Sequence, residues 1–149
     1  MKLRLRRVDY KTLNARQKEN YNYQKVSAIL ADYGYVTMRL SDDWEGADFL
    51  AKHVREKEIL KVQLKGRLDF RHKYLQKGLY VAFHAKKTDV WYLYPHDELL
   101  AKLERAGQIV NTNAWANGGY SVGNLSPALQ KILEPYRLGV TPRTKRGND

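Results

Sequence analysis

The sequence predicts a mixed α/β (α+β) fold, with a central mixed sheet of about five strands flanked by helices. Three patterns carry this expectation. From Leu60 to Lys65, apolar and polar residues alternate, which is the period of a strand with two unlike faces. From Asn14 or Ala15 to Asp32, the spacing and the end signals are those of a helix. Two pairs of apolar runs, Ala47–Val54 with Glu58–Lys65 and Leu79–His84 with Asp89–Tyr94, are each joined by a short polar turn, as antiparallel hairpins are.

Taken in order, Met1–Lys11 is a basic arm, expected to include a short edge strand. Thr12 or Asn14 caps the first helix, and Gly34 stands where a left-handed C-terminal cap belongs. Val26, Ile29, Leu30 and Tyr33 mark its buried stripe; extended backward, the stripe reaches Tyr23, Asn22 and Glu19. Tyr35–Leu40 is the first strand and Ser41–Gly46 a polar, acidic turn. The first hairpin follows, turning at Arg55-Glu56-Lys57, and Gly66 releases the chain into Arg67–Lys77, a basic segment of helical character. The second hairpin turns at Lys86-Lys87. A helix begins at Asp97-Glu98, whose charges suit its N-terminal dipole, and ends at Gly107. Ile109–Gly119 reads as loop or short irregular helix. Ser126-Pro127 starts a last short helix that stops near Pro135. Residues 140–149 form a polar, basic tail expected to be disordered. With no repeat and no linker, residues 1–149 form a single domain in the order α-β-β-β-(α)-β-β-α, with the Ser126 helix added.

The chain's 149 residues and 43% hydrophobic content suffice for one core without metals or disulfides. The absence of cysteine excludes a disulfide scaffold and a Cys-ligated zinc site, and fits a cytoplasmic setting. The basic start is followed by no apolar run, so neither a secretory signal nor a membrane span is expected. Lys and Arg number 27 against 16 Asp and Glu, a net charge of +11, which favours polyanionic partners. Eleven tyrosines and three tryptophans supply surfaces that stack on bases or simply fill a core. No basic helix has the broad apolar face of a membrane-surface protein.

The alternation of the Glu58–Lys65 strand places Lys61, Gln63 and Lys65 on one face, and Leu60, Val62 and Leu64 on the other. Asp48, on the partner strand, reaches the same end of the sheet if the hairpin register allows. An acid, an amide and an amine gathered there suit metal-assisted phosphodiester hydrolysis. That reaction needs charge neutralised on oxygen, a positioned water and a cation near the developing charge.

A helix, a strand, then a hairpin carrying Gly46-Ala47-Asp48 and Gln63-Leu64-Lys65 resembles the restriction-endonuclease-like, PD-(D/E)xK nuclease superfamily, over roughly residues 12–105. Locally it is similar to branches with Gln-x-Lys, such as some intron-associated homing endonucleases; archaeal-type Holliday junction resolvases share the element order. The resemblance implies that Asp48 ligates a divalent metal, Mg²⁺ or alternatively Mn²⁺. The Gln63 side chain and the Leu64 backbone carbonyl would complete the protein ligands. Lys65 would hold or help deprotonate the attacking water. The chain departs from the family pattern twice: Ala47 replaces the proline and Gln63 the second acid. Many members carry a Glu on the first helix facing the metal. That position aligns with Tyr23, and Glu19 lies one turn earlier on the same face, as the candidate that supplies the missing charge.

Lys61, Arg67, Arg71, Lys73, Lys86 and Lys87 follow or flank these residues and are the candidate phosphate contacts. The four histidines have no metal-ligand spacing, and there is no P-loop, dinucleotide fingerprint or serine elbow. Trp91-Tyr92-Leu93-Tyr94 reads as core packing rather than a stacking platform. The expected function is a Mg²⁺-dependent DNA endonuclease, acting as a homodimer or higher homo-oligomer because one small domain offers one site. Its rivals are a non-catalytic nucleic-acid-binding protein on the same fold, and an RNA-binding or RNA-processing basic α/β protein.

Overall fold

Asn14 decides where the first helix starts. Its side chain accepts the Gln17 N–H at 2.9 Å, and the Gln17 side chain accepts the Asn14 N–H at 2.9 Å, so two otherwise unpaired amides of the first turn are satisfied reciprocally. In the computed structural model, which describes residues 1–109 and 113–139, helix α1 spans Ala15–Asp32. It ends at Gly34, whose φ of +84° suits glycine. A Cβ there would also sit 2.8 Å from Nε2 of His53, so conformation and space demand the same residue.

The sheet has the order β1 (Tyr35–Trp44), β2 (Ala47–His53), β3 (Ile59–Lys65), β5 (Leu79–Ala85), β6 (Val90–Pro95). All neighbours are antiparallel except β3 and β5, which run parallel with Lys65 beside Phe83. Val26 and Leu30 of α1 are fully buried against Phe49, Ala51, Leu60 and Val62 on one sheet face. Each such side chain contributes about 1.5–3 kcal/mol on leaving water. Tyr33 does not belong to this stripe: it is the helix's C-cap, is 42% exposed, and its hydroxyl accepts the Gly139 N–H. Helical phase no longer applies where the helix has ended.

The other sheet face carries the larger core, in which Val81, Phe83, Tyr92 and Tyr94 meet α2 (His96–Arg105) through Leu99 and Leu103 and α4 (Pro127–Leu133) through Leu129 and Leu133. Ser126 caps α4 as its sequence implies, accepting the Leu129 N–H. A short helix α3 (Asn113–Ala116) lies in the stretch read as loop or short irregular helix, and a strand, β7 (Gly119–Val122), which the sequence reading did not include, follows it.

The segment between β3 and β5 corrects the sequence-based expectation most. Its helical part is only a 3-10 helix, His72–Tyr74: Leu68–Arg71 before it is a strand, β4, paired with β7 in a separate two-stranded sheet. Leu68 and Phe70 are both buried, the period of a strand. Asp69 between them is buried too, and its charge is matched by a two-pronged ion pair with Arg71 at 2.9 Å for each contact. Its backbone is held by Tyr94, whose hydroxyl donates to the Asp69 carbonyl at 2.7 Å and accepts its N–H at 3.1 Å. Nε2 of buried His96 accepts the Arg71 N–H at 3.1 Å, while Nδ1 donates to Asp97 at 2.8 Å, which describes one neutral tautomer with both nitrogens used.

Two further expectations change. β1 runs to Trp44 rather than stopping at Leu40; its pairing with β2 is irregular between Arg39 and Trp44, then resumes at Trp44 and Ala47 before a tight turn at Glu45-Gly46. As an edge strand it needs only backbone pairing there, so the polar Ser41–Asp43 continue it without a buried face. Residues 1–9 form neither helix nor strand, and only a 3-10 turn, Tyr10–Thr12, precedes α1. The expected disordered tail, residues 140–149, lies outside the described residues. No helix among the described residues is long and apolar enough to cross a membrane.

Replacing His96 with Phe keeps the ring's bulk but removes both hydrogen bonds. The variant should lose about 1–3 kcal/mol of stability through the orphaned Arg71 amide. The shift of its urea unfolding midpoint measures this, and an unchanged midpoint would show that the histidine does not anchor β4.

Candidate active site

The ladder between β2 and β3 runs from Lys52 opposite Ile59 to Phe49 opposite Val62, and then stops. One residue further, the strands no longer pair through their backbones. Leu64 N–H instead donates to Oδ2 of Asp48 at 2.8 Å. A side-chain carboxylate has taken the place of a backbone carbonyl, so the strands splay and Asp48 is fixed beside Gln63-Leu64-Lys65. The hairpin register that the sequence left open thus brings the four expected residues together.

Each neighbour is oriented. The Gln63 amide nitrogen donates to the Leu64 carbonyl at 3.3 Å, which leaves its oxygen to face another ligand. The Lys65 ammonium lies 5.3 Å from the centre of the Tyr74 ring, a cation–π distance, and makes no ion pair among the described residues. Tyr74 is buried and is itself packed against the β1–β2 turn: a Cβ on Gly46 would meet its ring at 2.9 Å. Gly46 therefore lets the turn sit against the ring that steadies Lys65.

Glu19 is presented from α1 but is not bare. Its Oε1 accepts from Arg39 Nη2 at 2.9 Å, and the other arm of Arg39 holds Asn20. Arg39 pairs with Phe49 across β1 and β2, one residue from Asp48, and Glu19 is close enough to act electrostatically on Asp48. It lines a cleft with Ala15, Arg16, Leu40 and Ser41. Burial pushes the Asp48 carboxyl above its ordinary pKa; the Leu64 N–H opposes this, Glu19 adds to it, Lys65 opposes it and Asp43 adds to it. Glu19 and Lys65 thus both act on Asp48 through space, from opposite signs.

The candidate donors here are all oxygen: the Asp48 carboxylate, the Gln63 amide oxygen and the Leu64 carbonyl, which now accepts from the Gln63 amide nitrogen. Such a set suits a hard divalent cation such as Mg²⁺ in kind. It carries little charge, and no group of three or more acidic or histidine side chains able to hold a metal occurs among the described residues. The residues therefore fit a weakly held ion rather than a tight one, unless Glu19 leaves Arg39.

The candidate phosphate contacts divide into two groups. Lys61 is paired with Glu45 at 2.6 Å and with the Lys77 carbonyl, Arg71 is bound to Asp69, and Lys73 lies 5.2 Å from the Tyr74 ring centre. Arg67, Lys86 and Lys87 are exposed, make no ion pair among the described residues and line one pocket. His53 accepts two backbone amides beside Gly34, at the far end of β2. Trp91, Tyr92 and Tyr94 are buried, in keeping with their reading as core. Sequence reasoning missed Tyr74 and Arg39. Tyr74 lay in a segment read as helical; Arg39, at the end of a strand, carried no signal beyond its charge.

No protein-family model matches the sequence, and no curated protein matches it. A solved structure of a bacterial homing endonuclease is similar to this chain with a TM-score of 0.45 at 11% identity, over 76% of this chain and 78% of that one.

Because the folded chain holds the Asp48 proton more tightly than the unfolded chain does, this group's contribution to stability is full below the ordinary aspartate range. It is lost as pH rises through the raised value. Asp48→Asn, whose amide oxygen still accepts the Leu64 N–H, should therefore unfold at a higher temperature than wild type at neutral pH, with the gain vanishing in acid. Thermal unfolding followed across pH checks it; a variant less stable at neutral pH would show that Asp48 is stabilised there as the anion.

Proposed function

We propose that the chain is a Mg²⁺-dependent DNA endonuclease with a restriction-endonuclease-like core, hydrolysing phosphodiester bonds by direct attack of water. The observation that carries this reading is the Asp48 carboxylate locked by the Leu64 amide beside Gln63 and Lys65, in a chain of net charge +11. Asp48, Gln63 Oε1 and the Leu64 carbonyl would hold the ion. A bound Mg²⁺ neutralises phosphate oxygens and makes water more acidic. Lys65, steadied by Tyr74, orients the water and balances the charge that builds on the phosphoryl oxygens as the new P–O bond forms and the ester P–O bond breaks. Glu19 is close enough to act on Asp48, and would add its charge to the ion's surroundings on leaving Arg39. Duplex cleavage needs two such sites, so a homodimer or higher homo-oligomer acting on DNA in the cytoplasm completes the reading.

One observation favours a second reading, a non-catalytic nucleic-acid-binding protein. Gln63 stands where the resemblance expects an acid, and the one carboxylate beside it has its pKa raised by burial.

Plasmid DNA with Mg²⁺ separates the two. The nuclease reading expects metal-dependent nicking that falls about 10²-fold or more in Asp48→Ala and in Lys65→Ala, on the scale seen when one electrostatic stabiliser of a transition state is removed. It also expects tighter Mg²⁺ binding in Gln63→Glu, measured by titration without DNA. Steeply salt-dependent DNA binding with no cleavage at any metal concentration would establish the binding protein instead.

A further inference from the structure

Immediately beyond Lys65 the chain opens a second feature. Gly66 and Arg67 form one wall of a pocket of about 320 Å³, closed by the end of β5, by Lys86 and Lys87 of the β5–β6 turn, and by the Gly123-Asn124-Leu125 segment before α4. That volume lies near the lower end of pockets that enclose a small molecule, roughly 300–1,000 Å³. Its floor is apolar: Phe83 is buried, and Ala85 and Leu125 pack on the main core. Its rim is cationic. Arg67, Lys86 and Lys87 line it, and no carboxylate does. Arg67 lies flat along the backbone of Gly123, where an added Cβ would be 3.7 Å from the guanidinium carbon. Lys86 rests 5.1 Å from the centre of the Tyr10 ring, so the basic N-terminal arm leaves the fold beside the same rim. Amides at Asn124 and Gln130 add hydrogen-bonding groups; the Gln130 nitrogen donates to the Leu125 carbonyl, which leaves its oxygen directed elsewhere.

We propose that this pocket takes one unstacked nucleotide of a DNA strand, adjacent to the phosphate held at Lys65. The inference rests on the nuclease reading and adds a substrate preference to it. Cations around an apolar floor match a phosphate joined to a flat, weakly hydrated base. A base pair cannot enter a pocket of this size, so the nucleotide must leave the stack. Unstacking costs a few kcal/mol in an intact duplex and least where a strand is already single or mismatched. The chain therefore favours DNA with a single-stranded or distorted step beside the cut over uniform duplex.

The test uses the full chain with Ca²⁺ in place of Mg²⁺, and a set of oligonucleotides with a duplex-to-single-strand junction, each carrying one 2-aminopurine, a base that brightens when unstacked. The proposal expects a several-fold rise in fluorescence at one position only. Ala85→Leu, which fills the floor, should abolish that rise while leaving affinity for uniform duplex unchanged. The double variant Arg67→Gln with Lys87→Gln should reduce the slope of log affinity against log salt by about 2. Both residues are exposed, so this pair carries the comparison if the filled variant proves unstable. Binding in Ca²⁺ and cleavage in Mg²⁺ by wild type, with no fluorescence rise at any position, would overturn the pocket and leave the nuclease standing. Neither binding nor cleavage would overturn both. A free deoxynucleoside monophosphate that binds more tightly than the oligonucleotides would make this a small-molecule pocket and overturn the proposal.

Discussion

The contact between the Leu64 amide and the Asp48 carboxylate is the constraint on which the candidate site depends. A strand amide at this depth needs an acceptor, and the ordinary acceptor would be a carbonyl of β2. Using a carboxylate instead ends the β2–β3 ladder at Phe49 and Val62 and lets the strands part. Beside the parted strands the Gln63 amide nitrogen donates to the Leu64 carbonyl, so both groups lie next to Asp48. The cost is visible at Asp48 itself, whose charge is disfavoured by burial and by Glu19 and Asp43, and favoured by the Leu64 N–H and by Lys65. A cation placed there would remove the conflict.

The rest of the fold serves this corner in layers. Val26 and Leu30 fix α1 on the sheet, and the fixed helix carries Glu19 to Arg39. Tyr74 ties the β1–β2 turn to Lys65 and touches His96, which anchors β4 through the Arg71 amide. A chain of contacts therefore runs from the buried polar network under α2 to the ammonium at the site. The parallel pairing of β3 with β5 brings Gly66 next to the end of β5, so the cationic pocket and the acidic corner lie on either side of Lys65.

Much of this was legible in the sequence because it rests on local rules. The Asn14 cap, the Gly34 stop, the β2–β3 hairpin and the facing of Gln63 and Lys65 follow from periodicity and end signals within a few residues. The five strands of the mixed sheet follow from the same patterns. What was not legible depends on partners distant in sequence. β4 reads as a basic, helix-like stretch until β7 is there to pair with it and Tyr94 and His96 are there to hold its backbone. The extension of β1 to Trp44 needs only an edge and a backbone partner, neither of which leaves a hydrophobic signature. At the site, Asp48 and Lys65 were visible as residue types in strand phase. The capture of Glu19 by Arg39 and the seat of Lys65 on Tyr74 were not, because each joins elements whose spacing the sequence does not specify.

The central claim is that Asp48, Gln63 and the Leu64 carbonyl form a cation site. A crystal of the protein soaked in Mn²⁺ and measured for anomalous scattering tests it most directly. The account predicts one anomalous peak in contact with a carboxylate oxygen of Asp48, the Gln63 side-chain oxygen and the Leu64 carbonyl oxygen, absent in a crystal of Asp48→Ala. A peak elsewhere with none at this corner, or none at all at saturating Mn²⁺, would contradict it.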